Sequence, residues 1–141
     1  AVGTLLRHPI AGTSIVPVMP DGRIVLIRRR DTDKWALPGG VSDWGAEIRT
    51  TVRRELEEET GLNLVNIRRL VGVYSQPLRD PRFHSVCVMV EADVDGSFDV
   101  QDTIEITDIR AFQKEEIPVE ELSHDHSKQI KDYFSGETVL A

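Results

Sequence analysis

The chain has 141 residues, 40% of them hydrophobic, enough for one ordinary core and one site. A lone Cys87 excludes a cystine-stapled scaffold, and 24 acidic against 17 basic residues (net charge −7) give the wrong sign for gripping a nucleic-acid polymer. No apolar run approaches the ~20 residues of a membrane span, and residues 1–10 lack the basic-then-apolar order of a signal peptide, so a single cytoplasmic domain over residues 1–141 with no membrane partner is expected.

Residues 13–19 are β-branched and apolar, stop at Pro20-Asp21-Gly22 and resume at 23–27, predicting a hairpin. A polar loop follows Pro38-Gly39-Gly40 and runs to Gly45. A helix is predicted over 47–60, closed by Gly61, where a left-handed cap costs least. Strands are predicted over 67–74, 84–92 and 104–112, with a turn at Asp95-Gly96; Cys87, among apolar neighbours, reads as a small core residue. Pro118 opens a short helical turn, and 123–134 reads as a second helix with Ile130, Tyr133 and Phe134 inward. Strands on both sides of a central helix predict an α/β sandwich on a mixed sheet.

The central helix carries the chemistry. At 100° per residue, Ile48, Val52 and Leu56 form an apolar stripe, and Glu55 and Glu59 fall on its edge or inside it. Glu58, at i,i+3 from Glu55, predicts that three carboxylates converge on one volume. Like charges so close, withdrawn from water, need a cation between them, and hard oxygens suit Mg²⁺ or Mn²⁺ with substrate phosphates completing the shell. The plainer alternative is a solvated face in which Arg53 pairs with Glu57 and Arg54 with Glu58.

Trp35-Ala36-Leu37-Pro38-Gly39-Gly40 followed by Arg54-Glu55-Leu56-Glu57-Glu58-Glu59-Thr60-Gly61-Leu62 resembles the signature of the MutT-like Nudix hydrolases, G-x5-E-x7-R-E-U-x-E-E-x-G-U with U aliphatic. Gly40, Arg54, Glu55, Leu56, Glu58, Glu59, Gly61 and Leu62 fall on its defined positions; the first Glu does not, since Ala46 stands there and Glu47 comes one place later. The resemblance implies an α/β/α sandwich around a mixed central sheet. It also implies water attack on one phosphorus of a nucleoside diphosphate linked to another moiety, with Mg²⁺ or Mn²⁺ as cofactor. Glu55, Glu58 and Glu59 would be catalytic, with Arg54 orienting a carboxylate; Gly40, Glu55, Glu58 and Glu59 would form the metal set. Glu59, Asp102 and Glu105 are candidates for the general base.

Residues 76–84, Gln76-Pro77-Leu78-Arg79-Asp80-Pro81-Arg82-Phe83-His84, are similar to a segment of the ADP-ribose pyrophosphatase branch, which implies ADP-ribose as substrate, AMP and ribose 5-phosphate as products, and a homodimer. Arg79 and Arg82 are assigned to phosphate, and Phe83, or Tyr74, to base stacking. The competing reading is a proline-stiffened loop whose arginines pair with Asp80. One of Arg28, Arg29 and Arg30 is expected to face the phosphates, with Arg28 assigned; Trp35 is assigned to the cleft and Trp44 is a further candidate. His124 and His126, two apart and without a cysteine partner, do not read as a zinc site. Two other functions stay open: a triphosphatase acting on oxidised nucleotides, and a nucleotide sensor without catalysis, which Ala46 favours.

Overall fold

The computed structural model describes residues 8–141; residues 1–7, most of the stretch read for a signal peptide, lie outside the described residues. Its elements are β1 (Ile10–Val18), β2 (Ile24–Arg29), β3 (Lys34–Ala36), β4 (Gly39–Val41), α1 (Ile48–Thr60), β5 (Asn63–Tyr74), β6 (Ser85–Asp95), β7 (Ile106–Phe112), α2 (His126–Ser135) and β8 (Val139–Leu140). Short 3-10 turns at Lys114–Glu116 and Val119–Glu121 connect β7 to α2.

Pleating along the strands decides which layer each residue joins. Ile15, Val25, Val90, Ala92 and Val94 pack with Val52 and Leu56 of α1, whereas Val16, Leu26, Met89 and Cys87 pack with Ile130 of α2. Adjacent residues therefore feed two cores, and the result is the expected α/β/α sandwich. Tyr133 and Phe134 are partly buried against the second core. The sheet is mixed, ordered β3-β2-β1-β6-β5-β8 with β4 also on β1 and β7 also on β2. β1 is parallel to β6 and β5 to β8, while the other pairs are antiparallel.

One feature of this topology positions the site. On the edge away from β6, β1 takes two partners along its length: Val18 pairs with Ile24, and Gly12, Thr13 and Ser14 pair with Val41, Gly40 and Gly39. The forked pairing lays the Gly39-Gly40 backbone across β1, within reach of α1. At the far end of α1, Gly61 adopts φ 77° and its N–H donates to the Leu56 and Glu57 carbonyls at 3.0 and 3.1 Å. A Cβ there would stand 2.5 Å from the Asp99 nitrogen, because the Asp99 N–H donates to Thr60 O at 2.9 Å.

Several boundaries differ from those expected. β5 begins at Asn63 rather than 67, because its early residues ladder onto Leu64–Val94 and Asn63–Asp95 pairs despite exposed side chains. β3 and β4, three residues each, were not anticipated; they exist through tertiary pairing with β2 and β1. The last helix starts at His126 instead of 123, since Leu122 bridges Trp35 and the Ser123 N–H donates to Trp35 O at 2.8 Å.

Candidate active site

α1 turns Val52, Glu55, Leu56 and Glu59 toward the protein, and the two carboxylates are only 8% and 3% exposed. Burial pushes Glu59 up to about 8; the Gly39 N–H, donating to its Oε1 at 2.8 Å, and the Arg29 guanidinium pull the other way, while the Glu55 charge adds to the rise. Burial likewise pushes Glu55 up to about 7, opposed by Arg54 and reinforced by Glu58, Glu105 and Asp102. Two carboxyls on one helical face are thus kept from ionising easily at neutral pH, the condition under which an added cation gains most.

Arg54 braces this arrangement. Its guanidinium lies 3.1 Å from Glu55 and 3.6 Å from Glu58, and it donates to Val41 O at 2.9 Å. Thr51 adds a hydroxyl bond to Ser42 at 3.2 Å. The loop before α1 is therefore held by Arg54 and Thr51. Glu47 is the exposed N-cap residue, makes no side-chain capping bond, and serves through its carbonyl, which accepts from Thr51 N–H at 3.1 Å. At the other end, the loop carrying Asp102 and Glu105 is tied to α1 by the Gln101 and Asp102 N–H groups, both donating to Glu58 O at 2.9 Å.

The expected convergence of three acids is reduced to two. Glu58, with its side chain 47% exposed, turns to Arg54, and among the described residues no three Asp, Glu, His or Cys side chains stand as a closed metal cage. Position 58 lies off the buried face that 55 and 59 share, which explains the difference.

Gly39 and Gly40 touch these carboxylates and also line a cleft with Arg29, Arg79, Arg82 and Phe83. In the 76–84 loop, Arg79, Arg82 and Phe83 all line the cleft, and Arg82 also pairs with Asp80. Arg82 forms a two-point bond to Asp80 (3.0 and 2.8 Å), which holds that carboxyl down to about 2, and still faces the cleft with Phe83 beneath its guanidinium at 5.2 Å. Arg79 pairs with Asp125 at 3.0 Å and donates to Ser85 Oγ, leaving its buried Nε without a partner.

Four assignments are corrected. Arg28 is not in the cleft: it pairs with Asp33 at 3.1 Å and lies over the Trp35 ring at 5.7 Å. Arg29, on the opposite face of the pleat, takes its place, two-point bonded to Asp31 at 3.0 and 2.9 Å. Trp35 is a core residue with its edge toward Phe112 at 5.2 Å. Tyr74 is buried with its hydroxyl donating to Asp132 at 2.9 Å, and Trp44 is fully exposed outside the cleft lining. Sequence reasoning missed Arg29 as the specific cleft arginine and passed over His124 and His126, which both line the cleft; strand alternation around Trp35 was the signal for the first.

A family model described as the NUDIX domain matches residues 8–133. The chain is 35% identical over 133 residues, 92% of its length and 76% of the relative's, to a protein of Methanocaldococcus jannaschii named ADP-ribose pyrophosphatase. It is similar to the crystal structure of a MutT NUDIX hydrolase from Burkholderia pseudomallei, at 28% identity with TM-score 0.77, covering 89% of this chain and 98% of that one. The fold also matches the NUDIX domain of Shewanella oneidensis NrtR, solved with ADP ribose, at TM-score 0.80 and 21% identity over 94% of this chain and 91% of that one.

Proposed function

The chain belongs to the Nudix family of pyrophosphate-bond hydrolases, and from that premise we propose that it cleaves a nucleoside diphosphate linked to another moiety, ADP-ribose being the favoured substrate, to AMP and ribose 5-phosphate. The observation that carries this reading is the pair of buried carboxyls, Glu55 and Glu59, set against Gly39 and Gly40, which line an arginine-bearing cleft. Nudix hydrolases generally need a divalent metal, and these residues suit one. Their donors are hard oxygens whose charge is costly without a cation. Beside them the glycine leaves room, since a Cβ on Gly40 would stand 2.5 Å from Glu55 Oε1. Glu55, Glu59 and the Gly40 backbone would hold Mg²⁺, or Mn²⁺ in its place, and Glu58 would join them on leaving Arg54. When bound, the ion supplies positive charge for phosphate oxygens and a more acidic water.

The remaining work falls to the chain's own groups. Arg54 keeps Glu55 aligned from 3.1 Å. Arg29, Arg79 and Arg82 offset the charge of the two phosphates and orient the diphosphate along the cleft. Phe83 offers an aromatic face to the base. Asp102 and Glu105, whose charges Glu55 feels, and Glu59 itself are the groups suited to take the proton of the attacking water.

The reading extends to one domain over residues 1–141, a homodimer, a cytoplasmic location, and no polymer or membrane partner. The −7 charge supports the lack of a polymer partner. Incubation with Mg²⁺ and ADP-ribose should yield AMP and ribose 5-phosphate in equal amounts. Release of pyrophosphate from modified triphosphates with ADP-ribose untouched would instead identify the triphosphatase, and tight nucleotide binding without turnover would identify the sensor.

A further inference from the structure

α2 opens on His126, and the surroundings of that residue fix the protonation of its ring. Leu122 bridges Trp35, and the Ser123 N–H donates to Trp35 O at 2.8 Å, so the chain enters the helix tied to β3. The Leu37 N–H then donates to Nδ1 of His126 at 3.0 Å. A ring nitrogen that accepts from a backbone N–H carries no proton, so the imidazole is neutral and its single proton sits on Nε2. Burial, followed by the charges of His124, Arg29 and Arg79, holds the group down to about 3, in keeping with that bond.

The donor end of this ring is open where its neighbour's is not. Nε2 of His124 is sealed from solvent, whereas His126 is part-exposed on the cleft lining and its Nε2, also without a protein partner, is not enclosed. Leu37, which holds the ring, stands two residues ahead of Gly39, whose N–H meets Glu59. An Nε2–H has no lone pair, so its complement is an acceptor. The wall around it is rich in donors: Arg29, Arg79 and Arg82 share the lining, while both Asp80 oxygens accept from Arg82. The hydroxyls of Thr13 and Ser14 on the same lining are turned to protein partners, Gly40 O at 3.5 Å and Gln129 Oε1 at 2.8 Å. Sugar hydroxyls and base edges bring donors along with their acceptors, but an ionised phosphoryl oxygen only accepts, and a wall of donors selects it.

We propose that His126 is a substrate-binding residue whose Nε2–H donates to a phosphoryl oxygen in the cleft, an uncharged contact beside the three arginines. The contact rests on the hydrolase reading above, and inorganic pyrophosphate, which has phosphoryl oxygens and neither sugar nor base, separates the two. In protein carrying ¹⁵N in its histidine rings, the Nε2 signal lost in His126→Asn or His126→Gln belongs to His126. With Mg²⁺ in excess, that signal should shift on adding pyrophosphate and stay in place on adding adenosine. The two variants divide the two ends of the ring. Asparagine sets an oxygen where Nδ1 stood and keeps the Leu37 bond without the donor, whereas glutamine sets an amide N–H where Nε2–H stood and gives up that bond. His126→Asn should lower kcat/KM for ADP-ribose about tenfold, the scale of one hydrogen bond, while melting near the parent protein. His126→Gln should stay within about threefold in kcat/KM and melt lower. A kcat/KM loss in the glutamine variant as large as in the asparagine one, an Nε2 signal that pyrophosphate leaves unmoved or adenosine moves equally, or a proton found on Nδ1 overturns the proposal. A pyrophosphate-induced shift in a protein that leaves ADP-ribose intact would uphold the contact and sink the hydrolase reading alone.

Discussion

Glu59 occupies a place that packing reserves for an apolar side chain, and the single backbone bond from Gly39 restores only part of the solvation it has lost. An uncharged glutamine of the same shape suits that position. Glu59→Gln should therefore keep the thermal midpoint near that of the parent protein while lowering ADP-ribose turnover at least about a hundredfold, checked by melting and product assay on one preparation. Unchanged turnover would mean that the carboxylate takes no part in the reaction. The acids at 55 and 59 could be read from a helical wheel because i,i+4 positions share a face whatever surrounds them. The same wheel sets Glu58 off that face, but not its pairing with Arg54, since Arg54 is drawn by Val41 and Asp43 on a preceding loop. The choice of Arg29 over Arg28 is set by strand pleat, and Trp35 announces its core role only once Phe112, distant in sequence, is beside it.

α1 is the element on which site and stability meet. Its first turn carries no side-chain cap, so its position relies on Arg54 and Thr51 reaching back to the loop, and on Gly61 closing the far end against Asp99. Gly61→Ala should cost about 2 kcal/mol in urea unfolding, from a left-handed backbone and a collision with the Asp99 main chain together. A loss below about 0.5 kcal/mol would show that the 96–105 loop yields freely, and that Asp102 is not held in place by α1. The helix was legible because apolar period and terminal glycine agree. β3 and β4 were not, because three-residue strands have no period of their own; β3 forms only against β2, and β4 only where β1 forks to receive Gly39 and Gly40.

For the molecule as a whole, the sandwich buries titratable groups of opposite kind, and the pH dependence of stability follows from their signs. His126, kept neutral by burial and held down to about 3 from 6.5, gives stability that is present above 6.5 and lost as the pH falls below it. Glu55 and Glu59, raised from 4.5 to about 7 and about 8, give stability that is present below 4.5 and lost as the pH rises through those values. Between pH 6.5 and 8 His126 is neutral in both states, so in a chelator the melting temperature should fall across that interval, and Mg²⁺ should raise it most at the upper end. A midpoint that rises with pH there would contradict the assigned burial. The layered architecture itself was foreseeable from strands flanking a central helix, whereas the strand order, with β1 between β2 and β6, depends on pairings far apart in sequence.

The most direct measurement is proton release when Mg²⁺ is titrated into the metal-free protein at pH 7, read by calorimetry in buffers of different ionisation enthalpy. With carboxyls at about 7 and about 8, Glu55 and Glu59 together carry roughly one proton or more that a cation must expel, so about that number should be released per site filled, falling in Glu59→Gln. Cation binding with no proton release, or release that Glu59→Gln leaves unchanged, would place the ion elsewhere.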